Sequence, residues 1–369
     1  MTQNKPVQYN DSIPPFFENS PVHSLEPLPE NSEPEYIVEN SLRWVRPYYF
    51  TYTAFAKQRW LNKKLIDVMI ENFHHPEPET YWTHRIVHGF VTINDSSKEP
   101  DYVVSDRKKG GADVLKHRVI RYEEPVTADL PVILGETEDF LAINKPCTIP
   151  CHKGGRFNYN ALDSIVPRFL SLPDLKLVHR LDRVTSGVLI YGKTKDAANL
   201  FRTWLINNSL TKCYIAKVDG EFTEIQKRCG AFISAPGPSP FFQRRGLEEE
   251  EEGSQSAETV FFSLWSSSTS SIVAAFPITG RCHQIRVHLA HLGFPISNDL
   301  LYNEELKLRS EFSADDNRFN KIHLHAVRYK GPKFDFRSEL PSWVRTDEGV
   351  DISEVVERNL EDAWKTMVK

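Results

Sequence analysis

A single carboxylate stands among cationic side chains in residues 179–187, which read HRLDRVTSG. Asp182 is flanked there by Arg180 and Arg183. Residues 188–193 are rich in β-branched and aromatic types, which predicts that Asp182 lies in a loop directly before a buried strand. Loops held by a rigid scaffold commonly carry catalytic groups, and positive charge around one acid is typical of a site for a polyanion. The alternative is a structural ion pair followed by an ordinary turn.

Four sequence blocks occur in the order in which they are found in the RluA-type family of RNA pseudouridine synthases, which this chain resembles. They are DFLAINKP at 139–146, the HRLD and TSG elements of 179–187, KCYIAKVDG at 212–220 and TGRCHQIRVHL at 279–289. The resemblance covers residues 130 to 330. Thr148 departs from the family pattern, because a glycine usually stands there, and we expect this substitution to alter the local turn.

The resemblance implies an isomerisation of uridine to pseudouridine, in which the N1–C1′ bond breaks and C5 joins C1′ without a redox change. It implies neither a metal nor an organic cofactor. Asp182 would be the essential carboxylate, acting either as a nucleophile or as a proton acceptor at C2′. Arg286 would pair with Asp182 through a charge-assisted contact, which is either monodentate or bidentate. Tyr214 would lie against the uracil and assist proton movement at C5.

Five further residues are assigned by the resemblance to RNA phosphates or to stabilisation of the catalytic loop. Phosphate contacts position RNA without reading its sequence. Flipping a uridine costs a few kcal/mol and is easiest in a loop, which favours a structured stem-loop substrate. The five residues are Lys145, His179, Arg180, Arg183 and Arg281.

The organisation of the chain is similar to that of fungal family members that act on the anticodon stem-loop of tRNA, at position 31 or 32. Ribosomal RNA is the alternative substrate. A non-catalytic RNA-binding protein is a second alternative, but binding alone would not require Asp182. A zinc site at His283, His288 and His291 lacks the compact His-Glu-x-x-His arrangement and is not expected. We expect tRNA as the partner, no obligatory protein partner, and a monomer.

Composition is typical of an enzyme larger than one small domain. The chain has 369 residues, of which 40% are hydrophobic and 26% charged, which predicts two folded units plus tails. No apolar run approaches the roughly 20 residues of a membrane-spanning helix. The five cysteines are an odd number without framework spacing, which predicts free thiols in a reducing compartment. We expect a cytoplasmic protein, with nuclear or mitochondrial fractions as alternatives.

Charge is distributed unevenly along the chain. The net charge is −5, but residues 1–40 carry −6, residues 248–252 carry −5 and residues 347–369 carry −4. The remaining residues therefore carry +10. A basic body with acidic appendages is compatible with contact to RNA phosphates, although acidic segments that only improve solubility would give the same pattern.

Composition and periodicity divide the chain into four segments, the third of which contains an insertion. Residues 1–40 are proline-rich and predicted to be a disordered acidic tail. Residues 41–125 contain a helix, helix and strand pattern that resembles the alpha-L RNA-binding motif, with an unrelated packing layer as the alternative. Residues 130–345 are predicted to form an α+β pseudouridine synthase domain with a mixed, mostly antiparallel sheet and a central catalytic cleft. Residues 346–369 are predicted to form a C-terminal helix or tail. Residues 235–257 are predicted to be an acidic, mobile insertion that points away from bound RNA or is displaced when RNA docks.

Caps are predicted for two helices of the catalytic domain. Thr194 precedes a helix whose apolar stripe is expected to pack in the core. Thr279 is expected to cap a second helix, which carries Arg286 and ends at Gly293.

Overall fold

The computed structural model describes residues 17–107, 111–171, 175–235, 244–308 and 321–368. The chain divides into two units. The first comprises the residues up to 39 and residues 44–123, and the second comprises residues 40–43 and the chain from 124 onward. Among the described residues, no helix is long and apolar enough to cross a membrane.

The first unit combines an antiparallel sheet with two helices. Its sheet has the strand order β3-β8-β4-β5. Trp60, Leu65, Met69 and Trp82 are among the buried residues of its core. The helix, helix and strand order expected from the sequence is present as α1, α2 and β4. The elements from the start of the described chain are β1 (Tyr36–Glu39), β2 (Leu42–Val45), β3 (Tyr48–Phe55), α1 (Leu65–Asn72), α2 (Pro78–Val87), β4 (Val91–Ile93), β5 (Ser96–Ser97), β6 (Asp106–Arg107), β7 (Gly111–Ala112) and β8 (Val114–Arg121).

Residues 17–40 differ from the disordered tail that composition predicts. Phe17 and Val22 are buried, and the Phe17 ring packs edge-on against Trp44 with a centroid distance of 6.0 Å. The prediction is therefore wrong for residues 17–40, because a few apolar side chains anchor a segment whose average composition is polar. Residues 1–16 lie outside the described residues.

The second unit is built around a large sheet with the order β10-β11-β13-β20-β14-β19-β18-β15, to which β12 and β21 add at β13 and β20. Among its described pairings, only β13 with β20 is parallel. The predicted α+β class with a mixed, mostly antiparallel sheet is confirmed. The elements are β9 (Val126–Thr127), β10 (Val132–Glu136), β11 (Phe140–Lys145), α3 (Leu162–Phe169), β12 (Lys176–Leu177), β13 (Ser186–Gly192), α4 (Lys195–Ile206), β14 (Thr211–Asp219), β15 (Gln226–Cys229), β16 (Phe232–Ile233), β17 (Gly246–Leu247), β18 (Thr259–Ser266), β19 (Ser270–Pro277), α5 (Gln284–His291), α6 (Glu304–Leu308), β20 (Leu324–Gly331), β21 (Phe334–Arg337) and α7 (Ser353–Val368).

The parallel contact between β13 and β20 fixes where the catalytic loop ends. Gly187 has φ +110°, and a Cβ there would lie 2.2 Å from the carbonyl oxygen of Ala326. Only glycine tolerates both the conformation and the close approach. Ser186 and His325 are also joined by a 2.8 Å hydrogen bond between Oγ and Nδ1. The Ser-Gly pair of the TSG element is thus required by strand packing.

Two helices cover the sheet through separate apolar clusters. Thr194 caps α4 as predicted, since its Oγ1 accepts a 3.0 Å hydrogen bond from the Ala197 N–H. The α4 residues Phe201 and Trp204 belong to the larger cluster. The C-terminal segment forms α7, whose buried Val356, Leu360, Ala363 and Trp364 contribute to the other cluster.

The helix that carries Arg286 begins later than its sequence predicts. α5 starts at Gln284, and its N-cap is His283 with a left-handed φ of +56°. The expected cap by Thr279 is wrong, because the Thr279 hydroxyl instead accepts a 2.9 Å hydrogen bond from the Glu258 N–H. The helix ends at His291, and Gly293 follows with a left-handed φ of +84°, in agreement with the predicted stop at this glycine.

The base of the acidic insertion packs against α5. β16 pairs with β17 in a short hairpin, and His291 Nε2 lies 2.8 Å from Glu248 Oε1. A Cβ on Gly246 would lie 2.7 Å from His291 Cβ, so the backbone approaches the helix closely. The described part of the segment predicted to be mobile is therefore held to the catalytic unit. Residues 236–243 lie outside the described residues.

Candidate active site

A cleft of about 520 Å³ opens in the second unit between the catalytic loop, the start of β14 and the segment that leads into α5. Asp182, Tyr214 and Arg286 all line it. The three residues are distant in sequence, and the sheet topology brings them together because β14 lies beside β20, which pairs with β13. The cleft also contains four of the five residues assigned to RNA binding. These are His179, Arg180, Arg183 and Arg281.

Asp182 presents its carboxylate to the cleft from the loop before β13. Its backbone carbonyl accepts a 3.1 Å hydrogen bond from the Thr185 N–H, which closes a tight turn. The side chain is 26% exposed, and its Oδ2 lies 3.3 Å from Arg286 Nη1 and 3.8 Å from His283 Nε2. The carboxylate is therefore accessible to a substrate and oriented by cationic and ring nitrogen groups.

Arg286 is oriented by a second carboxylate that the sequence did not indicate. Its Nε lies 2.6 Å from Asp299 Oδ2 and its Nη2 lies 2.8 Å from Asp299 Oδ1. Arg286 therefore makes its bidentate contact with Asp299 and donates a single hydrogen bond to Asp182. Burial lowers the pKa of Arg286, but Asp299 more than offsets this and raises the pKa above its usual value. The guanidinium is therefore always charged and faces Asp182 in a fixed orientation.

Tyr214 lies in β14 at the floor of the cleft and is 8% exposed. Its hydroxyl is hydrogen-bonded to that of Tyr329, and the two rings meet edge to face at 6.0 Å. Burial raises the pKa of Tyr214 well above its usual range. The side chain can therefore offer an apolar ring face and a neutral hydroxyl, but not a phenolate, to a bound base.

Lys145 does not line the cleft, and its contacts favour stabilisation of the catalytic loop, the second of its two expected roles, over a phosphate contact. Its ammonium is fully buried and donates to the carbonyls of Pro146 and Ile149 at 2.8 Å and of Arg183 at 3.1 Å. Burial lowers the pKa of Lys145, and the nearby Cys151 opposes this shift. Lys145 therefore holds the backbone of the catalytic loop next to Asp182.

His179 lines the cleft and packs against aromatic rings. Its imidazole stacks on Tyr329 at 4.7 Å and on Phe201 at 5.6 Å. Nε2 accepts a 3.0 Å hydrogen bond from the Ile190 N–H. Burial lowers the pKa of His179 to about 3, so the ring is neutral and bears no charge that would attract RNA.

Arg180 and Arg281 are exposed on the edge of the cleft. Arg281 Nε donates to the Ser256 carbonyl at 3.0 Å. Arg183 is half-buried, and its guanidinium lies 5.8 Å from the centre of the Phe157 ring. Among the arginines expected to contact RNA, Arg180 and Arg281 are thus best placed to meet phosphates. Arg183 also packs against other residues of the second unit.

Lys212 is a cleft residue that sequence reasoning missed. It lines the cleft and donates from Nζ to the Thr279 carbonyl at 3.2 Å. Burial lowers the pKa of Lys212 to about 8. The sequence could have predicted this position, because Lys212 lies two residues before Tyr214 and alternate residues of a strand lie on the same face of the sheet. Asp299 and Tyr329 had no comparable signal, since both lie outside the four blocks.

Thr148 occupies the turn after Lys145 in a left-handed conformation with φ +68°. A glycine would adopt this conformation without strain. Thr148 is buried, and its Oγ1 accepts a 2.8 Å hydrogen bond from the Thr127 N–H. The hydroxyl therefore makes a contact that offsets the strain and that a glycine could not make.

No group of three or more His, Cys, Asp or Glu side chains that could hold a metal ion occurs in the described part of the chain. His288 instead bonds to Thr259 Oγ1 at 2.9 Å and to the Ala231 carbonyl at 3.1 Å. Burial lowers the pKa of His288 to about 4. Each of these contacts is typical of a structural histidine.

A mixed sheet with a carboxylate and an arginine in a central cleft defines an α+β enzyme, and comparison with known proteins assigns its family. The sequence profile of the RNA pseudouridylate synthase family matches residues 139–291. RNA pseudouridine synthase 7 from Oryza sativa subsp. japonica is 30% identical over 371 residues, which cover 85% of this chain and 93% of that protein. The chain therefore belongs to the RNA pseudouridylate synthase family, whose members are isomerases.

Two relatives from Saccharomyces cerevisiae have names that specify an RNA. The mitochondrial tRNA pseudouridine(32) synthase is 34% identical over 296 residues, which cover 78% of this chain and 61% of that protein. The tRNA pseudouridine(31) synthase is 29% identical over 399 residues, which cover 85% of this chain and 98% of that protein. This chain thus spans less than two thirds of the first relative and nearly all of the second.

Proposed function

We propose that the protein isomerises a uridine of the tRNA anticodon stem-loop, at position 31 or 32, to pseudouridine. The observation that carries this proposal is the likeness to the tRNA pseudouridine(32) synthase over 78% of the chain. The tRNA pseudouridine(31) synthase adds support, because it is matched over almost its whole length. Ribosomal RNA is the alternative substrate.

Asp182 is the essential group in this proposal. An everted uridine would place its ribose near the carboxylate, which either attacks carbon or removes the C2′ proton while the N1–C1′ bond breaks. The uracil then turns and C5 bonds to C1′, while the bond between the carboxylate and carbon breaks in the first route or C2′ regains its proton in the second. C5 loses its proton and N1 gains one, so the atoms balance without a cofactor. Arg286 holds the carboxylate, since its Nη1 lies 3.3 Å from Asp182 Oδ2.

Tyr214 receives the base in the same proposal. Its ring lines the cleft and would replace part of the stacking that the uracil loses on flipping. The raised pKa of Tyr214 keeps the hydroxyl protonated, so it acts by hydrogen bonding rather than as an anionic base at C5.

RNA outside the cleft would be held by cations on both units. Arg180 and Arg281 would contact phosphates beside the flipped nucleotide. In the first unit, which we propose as an alpha-L-like RNA-binding domain, Lys57, Arg59 and Lys64 are exposed. Arg85 of the same unit is buried and donates to the Arg118 carbonyl, so it is not placed to meet RNA.

We further propose that the protein acts as a monomer, without a metal or organic cofactor, in the cytoplasm and in part in mitochondria. The mitochondrial fraction is supported by the name of the 34% identical relative. The cytoplasmic fraction is supported by the five free cysteines, which are typical of a reducing compartment.

Pseudouridine mapping tests the proposal directly. Total RNA is compared from cells that carry the wild-type chain, Asp182→Asn, or no copy. We expect one tRNA position, 31 or 32, to lose pseudouridine in both the null and the Asp182→Asn cells, because the variant keeps the side-chain shape but removes its charge. Loss at a ribosomal position would establish the alternative substrate. Full modification by Asp182→Asn would contradict the role of the carboxylate.

A further inference from the structure

A tyrosine and a histidine form a chain of contacts that ends at the catalytic carboxylate. Tyr302 Oη lies 2.8 Å from His283 Nδ1. The other ring nitrogen, Nε2, lies 3.8 Å from Asp182 Oδ2. Tyr302 is buried, and its ring also lies 4.8 Å from the Arg286 guanidinium. The two residues therefore contact both members of the Asp182–Arg286 pair.

The contacts select one tautomer of the imidazole. If Nδ1 carried the proton, the lone pair of Nε2 would face the Asp182 carboxylate, which is repulsive. If the Tyr302 hydroxyl donates to Nδ1, then Nε2 carries the proton and its N–H points toward the carboxylate, which is attractive. The Tyr302 oxygen also takes part in a backbone hydrogen bond with Arg244. This leaves the hydroxyl hydrogen for His283.

We propose that Tyr302 fixes His283 as the Nε2–H tautomer and that His283 is thereby a positioning residue, which orients Asp182 within the cleft that both residues line. The inference rests on the proposed role of Asp182 and is independent of which RNA is modified. At 3.8 Å the N–H is an electrostatic neighbour of the carboxylate rather than a full hydrogen-bond partner. A small movement of Asp182 on binding substrate would close the contact.

The backbone at His283 is consistent with a positioned side chain. His283 has φ +56°, and histidine occurs in this left-handed region less readily than glycine. Such strain persists where the surroundings hold it, and it occurs frequently at active sites. Four charged groups surround the imidazole, namely Asp182, Arg286, Asp299 and Arg244. Burial lowers the pKa of His283, Asp182 opposes this, and the ring is neutral at neutral pH.

The test uses Tyr302→Phe, which removes only the hydroxyl and retains the ring beside Arg286. Single-turnover rates are measured between pH 5 and pH 9 on the RNA that the wild-type enzyme modifies. We expect the maximal single-turnover rate to fall about tenfold, because the imidazole is no longer held with its Nε2–H toward the carboxylate, with the half-saturating concentration unchanged. The acid limb of the pH profile should move upward, because the ionised form of the catalytic acid loses part of its electrostatic stabilisation.

Two variants at His283 give a rescue test. His283→Gln can place an amide N–H where Nε2 stands, so we expect it to retain the wild-type acid limb. His283→Asn tolerates the left-handed backbone but is too short to reach Asp182, so we expect it to shift the limb as Tyr302→Phe does. Tyr191→Phe is the matched control, because it removes a buried hydroxyl that has no partner among the described residues.

The outcomes separate this inference from the proposed function. Suppose that Tyr302→Phe has wild-type rates and an unshifted acid limb, while Asp182→Asn is inactive. This result would overturn the positioning role of Tyr302 and His283 and leave the proposed function intact. An active Asp182→Asn would overturn the proposed function as well. If Tyr302→Phe reacts about tenfold more slowly with a shifted acid limb, and Tyr191→Phe reacts at the wild-type rate, the positioning role of Tyr302 and His283 is supported.

Discussion

The cleft has two charged regions that differ in what their charges contact. The floor group consists of Asp182 and Arg286, which line the cleft, together with the buried Asp299, and Arg286 pairs with the two carboxylates at 3.3 and 2.6 Å. The rim consists of Arg180, Lys212 and Arg281, none of which has a carboxylate within ion-pair distance in the described part of the chain. Paired charges are preorganised for chemistry, whereas unpaired cations attract phosphates. Substitutions in the floor should therefore change kcat, and substitutions in the rim should change KM.

The largest effect is expected from Asp299→Asn in the floor. The variant leaves Arg286 buried without its two-pronged carboxylate partner, so the guanidinium loses its fixed orientation toward Asp182. We expect kcat to fall about 100-fold and the free energy of unfolding to fall by about 3 kcal/mol, since one partner of a buried ion pair is removed. Single-turnover kinetics and thermal unfolding measure the two effects.

An exposed pair of the same geometry provides the control. Arg328 contacts Asp335 through Nε and Nη2, both at 2.8 Å, and Asp335 is exposed. Asp335→Asn should cost less than about 1 kcal/mol and leave kcat unchanged. If Asp299→Asn were as active as Asp335→Asn, the floor would not depend on this pairing.

A smaller effect on kcat but a clear loss of stability is expected from Lys145→Met. The variant removes three hydrogen bonds to buried carbonyls, which should lower the free energy of unfolding by about 2 to 4 kcal/mol. KM for RNA should stay within twofold, because Lys145 is fully buried. Lys193→Met, which removes an exposed ion pair with Glu136, is the control. A raised KM with normal stability would instead restore a phosphate-binding role to Lys145.

The difference between Lys145 and Arg180 shows the limit of prediction from sequence. The four ordered blocks place Asp182, Tyr214 and Arg286 in one cleft, because motif order reflects the topology of the sheet. Residue type alone does not distinguish a cation that faces solvent from one that is buried against carbonyls, so Lys145 and Arg180 received the same assignment. Burial and partners depend on contacts between residues far apart in sequence, which local patterns do not contain.

Asp299 and Phe17 show the same limit in other regions. Asp299 lies 13 residues after Arg286, in a segment without helical or strand periodicity, and only the folded loop brings its carboxylate to the guanidinium. Phe17 lies in a proline-rich, acidic segment, where average composition predicts disorder. Its burial depends on aromatic contacts with Trp44 and Tyr122, which lie far from it in sequence. Elements with strong periodicity, such as α1, α4 and α7, were predictable because their apolar faces repeat locally.

The smallest effect is expected in the rim, from Lys212→Met. Removing one phosphate-binding charge should raise KM for RNA about five- to tenfold and leave kcat unchanged, because phosphate contacts supply affinity rather than chemistry. The pKa of Lys212, lowered by burial to about 8, adds a pH signature. Below pH 8 the ammonium is charged and attracts RNA; above pH 8 it becomes neutral, so KM of the wild-type enzyme should rise.

Lys212→Arg separates charge from other effects of substitution at this position. A guanidinium remains charged over the whole range, so KM of this variant should be independent of pH between 7 and 9, whereas KM of the wild-type enzyme rises. KM measured at constant ionic strength distinguishes the two, since salt alone weakens phosphate contacts. A wild-type KM that does not change between pH 7 and 9 would contradict the phosphate-binding role of Lys212. An unchanged KM with a reduced kcat in Lys212→Met would instead assign Lys212 a role in the chemical step, as for the floor residues.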